Sequence, residues 1–434
     1  MGLSGYEALV MASISPYLLG IGPLRRFLTG NMRVTSFLTL TGLVAFYILD
    51  PAKRLFVTAG GVFLSCLAVA TGFYAERNNP VRLEAKISAF SLGLILSSIA
   101  KFACYSNNPV WPVMHAENGG WNKTGLVLGV LAVIRSTRKA THTQDTPAAK
   151  GSRGSSIAIT LGLGGVFYGL HALLSDSSTM ITWVWDGYPV TGPLAVPHGF
   201  VTLIAMGIGY LIGSFYEDVS RSWAMYAFGC IGATILHRNH GWLGYCGAFI
   251  LATYLMSIIP SFIRTSLQHG PGKTFGNAFL FYIFLVLAHT WTVAYAFVPG
   301  GPLLRERTDL IMIWIMGSIG LGVFATSSLA SSSKGKSSGS STSPFQKRVK
   351  SYYFCCLFIL ELMAAAIAYM RFPSLDYEPY NKDAKVVSVG IWTVHFGIDN
   401  DMWSSERRMR DLIKEMEVDI IGMCICRYSD VLHY

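Results

Sequence analysis

The chain has 434 residues, 52% hydrophobic and only 13% charged, with a formal net charge of +10. A soluble domain is typically about 25% charged, so the composition excludes an ordinary soluble enzyme. The positive balance is not a nucleic-acid signal either, because the Lys and Arg residues collect in connectors, where they report membrane topology.

A helix needs about 20 apolar residues to cross the bilayer core. Candidate spans fall at 6–24, 35–50, 55–74, 87–105, 123–135, 156–174, 199–216, 222–238, 241–259, 275–298, 308–330 and 351–370. The span at 6–24 contains Pro16 and that at 123–135 is short. The expected fold class is therefore an all-α polytopic membrane protein of about 11–12 transmembrane helices. Gly and Ser positions inside the spans suit close helix approach in lipid. Residues 1–24 lack a basic leading region and read as a first anchor rather than a cleaved signal.

Polar stretches divide this region. Residues 1–135 form an N-terminal membrane bundle, 136–155 a basic linker, and 156–330 a central bundle. A flexible Ser/Gly/Lys linker at 331–350 precedes a last anchor at 351–370 and a C-terminal segment at 371–434. Basic connectors are Arg25/Arg26/Arg33, Arg77/Arg82/Lys86, Arg135 to Arg153, Arg264/Lys273 and Lys334 to Lys350, whereas 106–122 and 175–197 hold no Lys or Arg. Alternation puts the basic connectors in the cytosol and residues 371–434 in the lumen. Lys53/Arg54, and more mildly Arg305/Arg307, violate that rule. The sequon Asn122-Lys-Thr124 falls on the expected luminal side, hard against a helix start.

Eight cysteines are scattered. Cys66, Cys104, Cys230 and Cys246 read as apolar fillers, and Cys355/Cys356 as membrane-buried or palmitoylated. Cys424 and Cys426 with His433 do not close a metal coordination sphere.

Several polar residues stand out. Gly272-Lys-Thr274 has the end of a phosphate-binding loop, but Leu267 replaces the glycine five positions earlier and no buried strand precedes it. The segment reads as a cytosolic turn opening a helix, with Lys273 available to a lipid phosphate. His237-Arg-Asn-His240 lies where two spans meet. Two readings fit it: a polar hairpin wetted by headgroups, or a site with His237 and His240 as acid and base and Arg238 as a phosphate clamp. His171 and His289 lie within spans, either bonded inside the bundle or functional. Glu361 sits in the middle of the last span. A charged group there costs about 2.5–3.5 kcal/mol on insertion scales, so it must be protonated, paired or wet, with Lys101 a partner at the wrong depth. Trp111, Trp121, Trp183 and Trp185 flank span ends as an aromatic belt does.

The C-terminal segment changes character. Lys385 to Ile391 is a buried-strand run, Ser404/Ser405 can cap a helix to about Glu417 with a Met409/Leu412/Ile413/Met416 stripe, and Val418 to Gly422 is a second strand. This start resembles the opening of the endonuclease/exonuclease/phosphatase superfamily. It is an incomplete α/β module, since one strand–helix–strand unit cannot bury its own faces, and the reading expects a fragment or a variant without its tail. The whole arrangement resembles the calcofluor-white-hypersensitive family of GPI-lipid remodelling proteins, also called post-GPI-attachment-factor-interacting proteins. Pro271-Gly-Lys-Thr274, Phe297-Val-Pro-Gly-Gly301, Arg305-Glu-Arg307, Asp309 and Trp403-Ser-Ser405 are similar to that family, and the N-terminal bundle resembles a smaller GPI-remodelling factor.

The resemblance implies replacement of diacylglycerol by ceramide on GPI-anchored proteins, in the endoplasmic reticulum or another secretory membrane. It implies GPI-anchored proteins, ceramide and diacylglycerol as partners, with the smaller factor as a further one, and no nucleic acid. The alternative is a non-catalytic scaffold or lipid carrier whose activity needs a complete hydrolase domain. Such a domain would hold a divalent metal such as Mg. Here Thr393 stands at the superfamily's Asn position and Ile425 at its metal-binding Glu, so no cofactor and no catalytic residue is expected in 386–434. The expected substrate-binding residues are Arg238, His171, Glu361 and Lys273. An unfinished module is expected to pack poorly, with its apolar helix stripe exposed.

Overall fold

The computed structural model describes residues 5–136, 153–187, 190–294, 297, 299–334, 344–373, 378–394 and 397–425. Residues 137–152 and 335–343 of the polar linkers, with Cys426 and His433, lie outside these residues. Ten main helices build the membrane region: α1 (Pro51–Ala75), α2 (Pro80–Ala103), α3 (Asn122–Ser136), α4 (Arg153–Leu174), α5 (Ala195–Phe215), α6 (Trp223–Arg238), α7 (Gly241–Ser266), α8 (Pro271–Trp291), α9 (Thr308–Lys334) and α10 (Pro344–Met370). Several starts are written locally. Asp50 accepts the Lys53 N–H ahead of Pro51, Asn79 the Arg82 N–H ahead of Pro80, and Ser222 the Met225 N–H. Each occupies a free first-turn donor, and proline at the first helical position forfeits no bond.

Among the described residues eight helices are long and apolar enough to cross a membrane, or nine if one bent pair counts as a span. This is fewer than the eleven or twelve expected, and the difference has physical causes. The stretch at 6–24 breaks near Pro16 and Pro23, where Gly5–Gly20 and Gly22–Gly30 meet at 98°. The stretch at 35–50 divides into Met32–Leu38, Thr41–Val44 and a turn at Ala45–Tyr47. Helices α3 and α6 have 15 and 16 residues, about 24 Å at most by the helical rise and short of the ~30 Å hydrocarbon core.

Helix α7 is the centre of the fold, with α4, α5 and α6 packed around it and α9 behind α4. Small residues set the closest approaches, as in lipid they must. A Cβ on Gly162 of α4 would lie 2.7 Å from the Cα of Gly322 on α9. The last anchor α10 is no separate unit, since it packs on α2 of the first bundle and α5 of the central one. Contacts define the two ends of the bundle. One end gathers residues 48–50, 104–121, 175–187, 239–240, 292–294 and 299–307 with the C-terminal module, tied by bonds such as Ser106 to Ser178 and Gly241 to Val184. The opposite end is locked by Arg264 of α7, which pairs with Glu84 of α2 and Glu217.

The C-terminal module consists of β1 (Val389–Val394), α11 (Glu406–Glu415) and β2 (Ile420–Ile425). The strands are parallel, with Val389 opposite Ile420 and Val394 opposite Ile425. Ser405 is the N-cap of α11 but its side chain makes no capping bond. Met409 is buried while Leu412 and Met416 stay exposed. The loop ahead of α11 is not loose, however, because Ser404 is buried and its backbone bonds to the 104–121 connector.

Candidate functional site at the module end of the bundle

The sequence offers His171 and His289 as separate polar residues, and the fold brings them together. The Tyr282 hydroxyl lies 3.1 Å from His171 Nδ1 and the Tyr168 hydroxyl 2.6 Å from His289 Nδ1. Lys101 and His289 are both within electrostatic reach of His171. Helices α2, α4 and α8 supply these groups, so the cluster lies on the seam between the two bundles. Above it, Arg371 donates to the Phe102 carbonyl and lies 4.0 Å over the Tyr105 ring, pinning the end of α10 against the end of α2. Each hydroxyl–imidazole hydrogen bond holds its ring in orientation through Nδ1 and leaves Nε2 outside that bond. The charge of Lys101 within electrostatic reach of His171 suits an anionic oxygen such as a phosphate.

Sequence reasoning alone misses Tyr168 and Tyr282. Their signal is helical spacing, since Tyr168 and His171 are three apart and Tyr282 and His289 seven apart, each pair on one face.

The other candidates do not join this cluster. His237 is half-buried at the end of α6, its Nδ1 has no hydrogen-bond partner among the described residues, and Asp309 of α9 is within its electrostatic reach. Asp309 is itself held by Arg307 at 2.8 and 2.9 Å. His240 is exposed at the N-cap of α7 and makes no side-chain capping bond, and Arg238 is exposed. The paired acid–base reading of His237 and His240 thus has them in different surroundings. Glu361 faces α5, where a Cβ on Gly207 would stand 2.6 Å from its Oε1. Among the described residues neither of its buried carboxyl oxygens has a hydrogen-bond partner.

Lys273 is exposed at the opposite end of the bundle, 16 residues before His289 on the same helix and about 24 Å from it. A Cβ on Gly272 would collide with the Gly20 backbone, so this glycine admits a neighbouring turn rather than a phosphate. His269 beside it is buried, which pushes its imidazole pKa down.

The strand ends of the module are where a divalent ion would sit. Ligands of open α/β sheets bind beyond the carboxyl ends of the strands, and a cavity of about 300 Å³ lies there, lined by Thr393, Ile398, Asp399 and Arg408 among others. Its carboxylate, Asp399, already accepts from the Trp403 and Asp401 amides and from Arg408. Partial burial raises the Asp399 pKa, but these donors outweigh it and hold the group below the usual carboxylate range. Among the described residues no three His, Cys, Asp or Glu side chains converge as metal ligands. Among the described residues the donor set at the strand ends does not fit a divalent cation.

Comparison with known proteins places these parts. Residues 1–135 match the PGAP2IP first transmembrane domain, 152–333 the PGAP2IP second transmembrane domain, and 384–431 the PGAP2IP C-terminal nuclease-like domain. The chain belongs to the PGAP2IP family. Protein cwh43 of Schizosaccharomyces pombe is 39% identical over 435 residues, 98% of this chain. The chain spans 44% of the length of that relative. In PGAP2IP terms, Lys101 comes from the first transmembrane domain and His171, Tyr282 and His289 from the second.

Proposed function

We propose that this multi-pass membrane protein takes part in remodelling the lipid of GPI anchors, replacing diacylglycerol by ceramide, in the endoplasmic reticulum or another secretory-pathway membrane. The module end of the bundle faces the lumen. The partners are GPI-anchored proteins and the lipids ceramide and diacylglycerol, with a smaller GPI-remodelling factor as a further one. The observation that carries this reading is the Lys101/His171/His289 cluster on the seam between the two bundles. Polar and ionisable groups among spans are costly and mark sites. A lysine within electrostatic reach of a histidine held by a tyrosine suits the phosphodiester of an inositol phospholipid, while the seam receives the acyl chains. His237, with the charge of Asp309 within electrostatic reach, is the acid–base candidate outside that grip.

A second reading, a lipid carrier or scaffold, is favoured by one observation: Thr393 and the already satisfied Asp399 offer no metal-holding pair at the strand ends. The two readings separate in cells that lack GPI-lipid remodelling. This chain alone, and this chain joined to a complete nuclease-like module, are each expressed and the ceramide content of GPI anchors is measured. Restoration by the chain alone supports chemistry within the membrane region. Restoration only by the longer chain overturns it in favour of the carrier.

A further inference from the structure

Arg54 is one of the cations that the topology rule rejects, with Lys53 beside it in sequence. The structure gives it an occupation. It is 3% exposed and donates to the carbonyls of Ile48 and Leu49 at 3.2 and 3.4 Å. Its other nitrogen donates to the carbonyls of Asp401 and Met402 at 2.6 and 2.9 Å, across 347 and 348 residues of chain. Its guanidinium lies 3.7 Å over the Trp403 ring, and His115 meets the same ring edge-on at 5.0 Å. Around this grip the backbones interlock. The Ser404 N–H donates to the Val113 carbonyl at 3.1 Å, Asn118 donates to the Ser404 carbonyl at 3.1 Å, and Asn107 donates to Glu406.

We propose that this end of the first bundle is a receptor built for the C-terminal module, with Arg54 as anchor and Trp403 as the side chain it grips. The module is a fixed cap on that bundle, not a domain swinging on the 371–388 tether. Three features carry this beyond mere contact. A guanidinium suits the grip because one plane both stacks on an indole and sends two donors to adjacent carbonyls, which an ammonium cannot do. The Arg54 grip uses only the loop ahead of α11, with Glu406 at the helix start adding to the interlock, so it does not depend on residues beyond β2. The same loop also walls the strand-end cavity through Ile398, Asp399 and Ser405, so gripping it sets the position of that cavity over the bundle. Whatever occupies the crevice is therefore presented at a fixed height above the first transmembrane domain.

The test is hydrogen exchange on the purified full chain in lipid nanodiscs, reading peptides that cover 104–121 and 397–409. Trp403→Ala is expected to raise exchange about 10- to 100-fold on both sides of the interface, while peptides of α4 and α7 stay protected. Exchange within about threefold of wild type in both peptides would overturn the receptor. Should Trp403→Ala also expose α4 and α7, Arg54→Lys decides. It keeps the charge and loses the planar stack, so faster exchange in both peptides is expected, and wild-type protection in that variant overturns the proposal.

Discussion

Replacing Arg264 by Gln removes the cation shared by Glu84 and Glu217, and the two carboxylates should respond unequally. The Glu84 side chain is 5% exposed and Glu217 is 34% exposed. A buried charge stripped of its partner costs about 3–5 kcal/mol, whereas an ion pair open to solvent contributes about 1 kcal/mol or less. Most of the loss therefore comes from Glu84, which ties α2 of the first bundle to α7 of the second. The R264Q melting temperature, followed by tryptophan fluorescence in detergent, should fall by roughly 5–10 °C. Adding E84Q removes the stranded charge and should recover most of that loss, while adding E217Q should recover little. An R264Q melt unchanged within error, or an R264Q/E84Q double variant no better than R264Q, would refute a buried ionic joint between the bundles.

Single contacts have consequences of their own. Asn122 is 4% exposed and its amide nitrogen donates to the Trp111 and Met114 carbonyls, so endoglycosidase treatment should leave the electrophoretic mobility of the chain unchanged. Gly207→Ala puts a methyl against the Glu361 carboxyl and should cost about 1–3 kcal/mol by overpacking. The same change in a Glu361→Ala background should cost almost nothing in a thermal melt. The carboxyl of Asp399 is held below the usual range in the folded chain, so its contribution is complete above the ordinary carboxylate pKa of about 4 and is lost as pH falls through the folded value. Exchange of the Asp401 and Trp403 amides, corrected for intrinsic rate, should be flat from neutral pH to about 5 and rise only below about 4. Asp399→Asn should remove that rise.

The long apolar helices are legible because hydropathy over 20 residues is a local property, and so are β1, α11 and β2, whose pattern switches from period 2 to period 3.6. Span number is less legible. Prolines at 16 and 23 and the short α3 and α6 make apolar stretches that do not each yield one long helix. The site is legible in part. His171 and His289 stand out as polar residues at depth, but nothing local says that α4 and α8 turn them toward each other or that Lys101 of α2 arrives beside them. The same holds for Arg54 and Trp403, where the sequence shows a cation on the wrong side and the explanation lies 349 positions away. Partners chosen by charge alone fail for this reason. Lys101 lies within electrostatic reach of His171, while Glu361 faces Gly207 of α5.

The central claim is that the Lys101/His171 cluster grips the phosphate of a GPI lipid during remodelling. The most direct measurement is the ceramide-to-diacylglycerol ratio of GPI anchors in remodelling-deficient cells, comparing the form that restores remodelling with its Lys101→Gln/His171→Gln variant at matched membrane levels. The account predicts that the ratio falls at least tenfold, as expected for about 1.4 kcal/mol or more of lost charge-assisted hydrogen bonding. A variant that is folded, present at the wild-type level and equal to it in ceramide content would contradict the account.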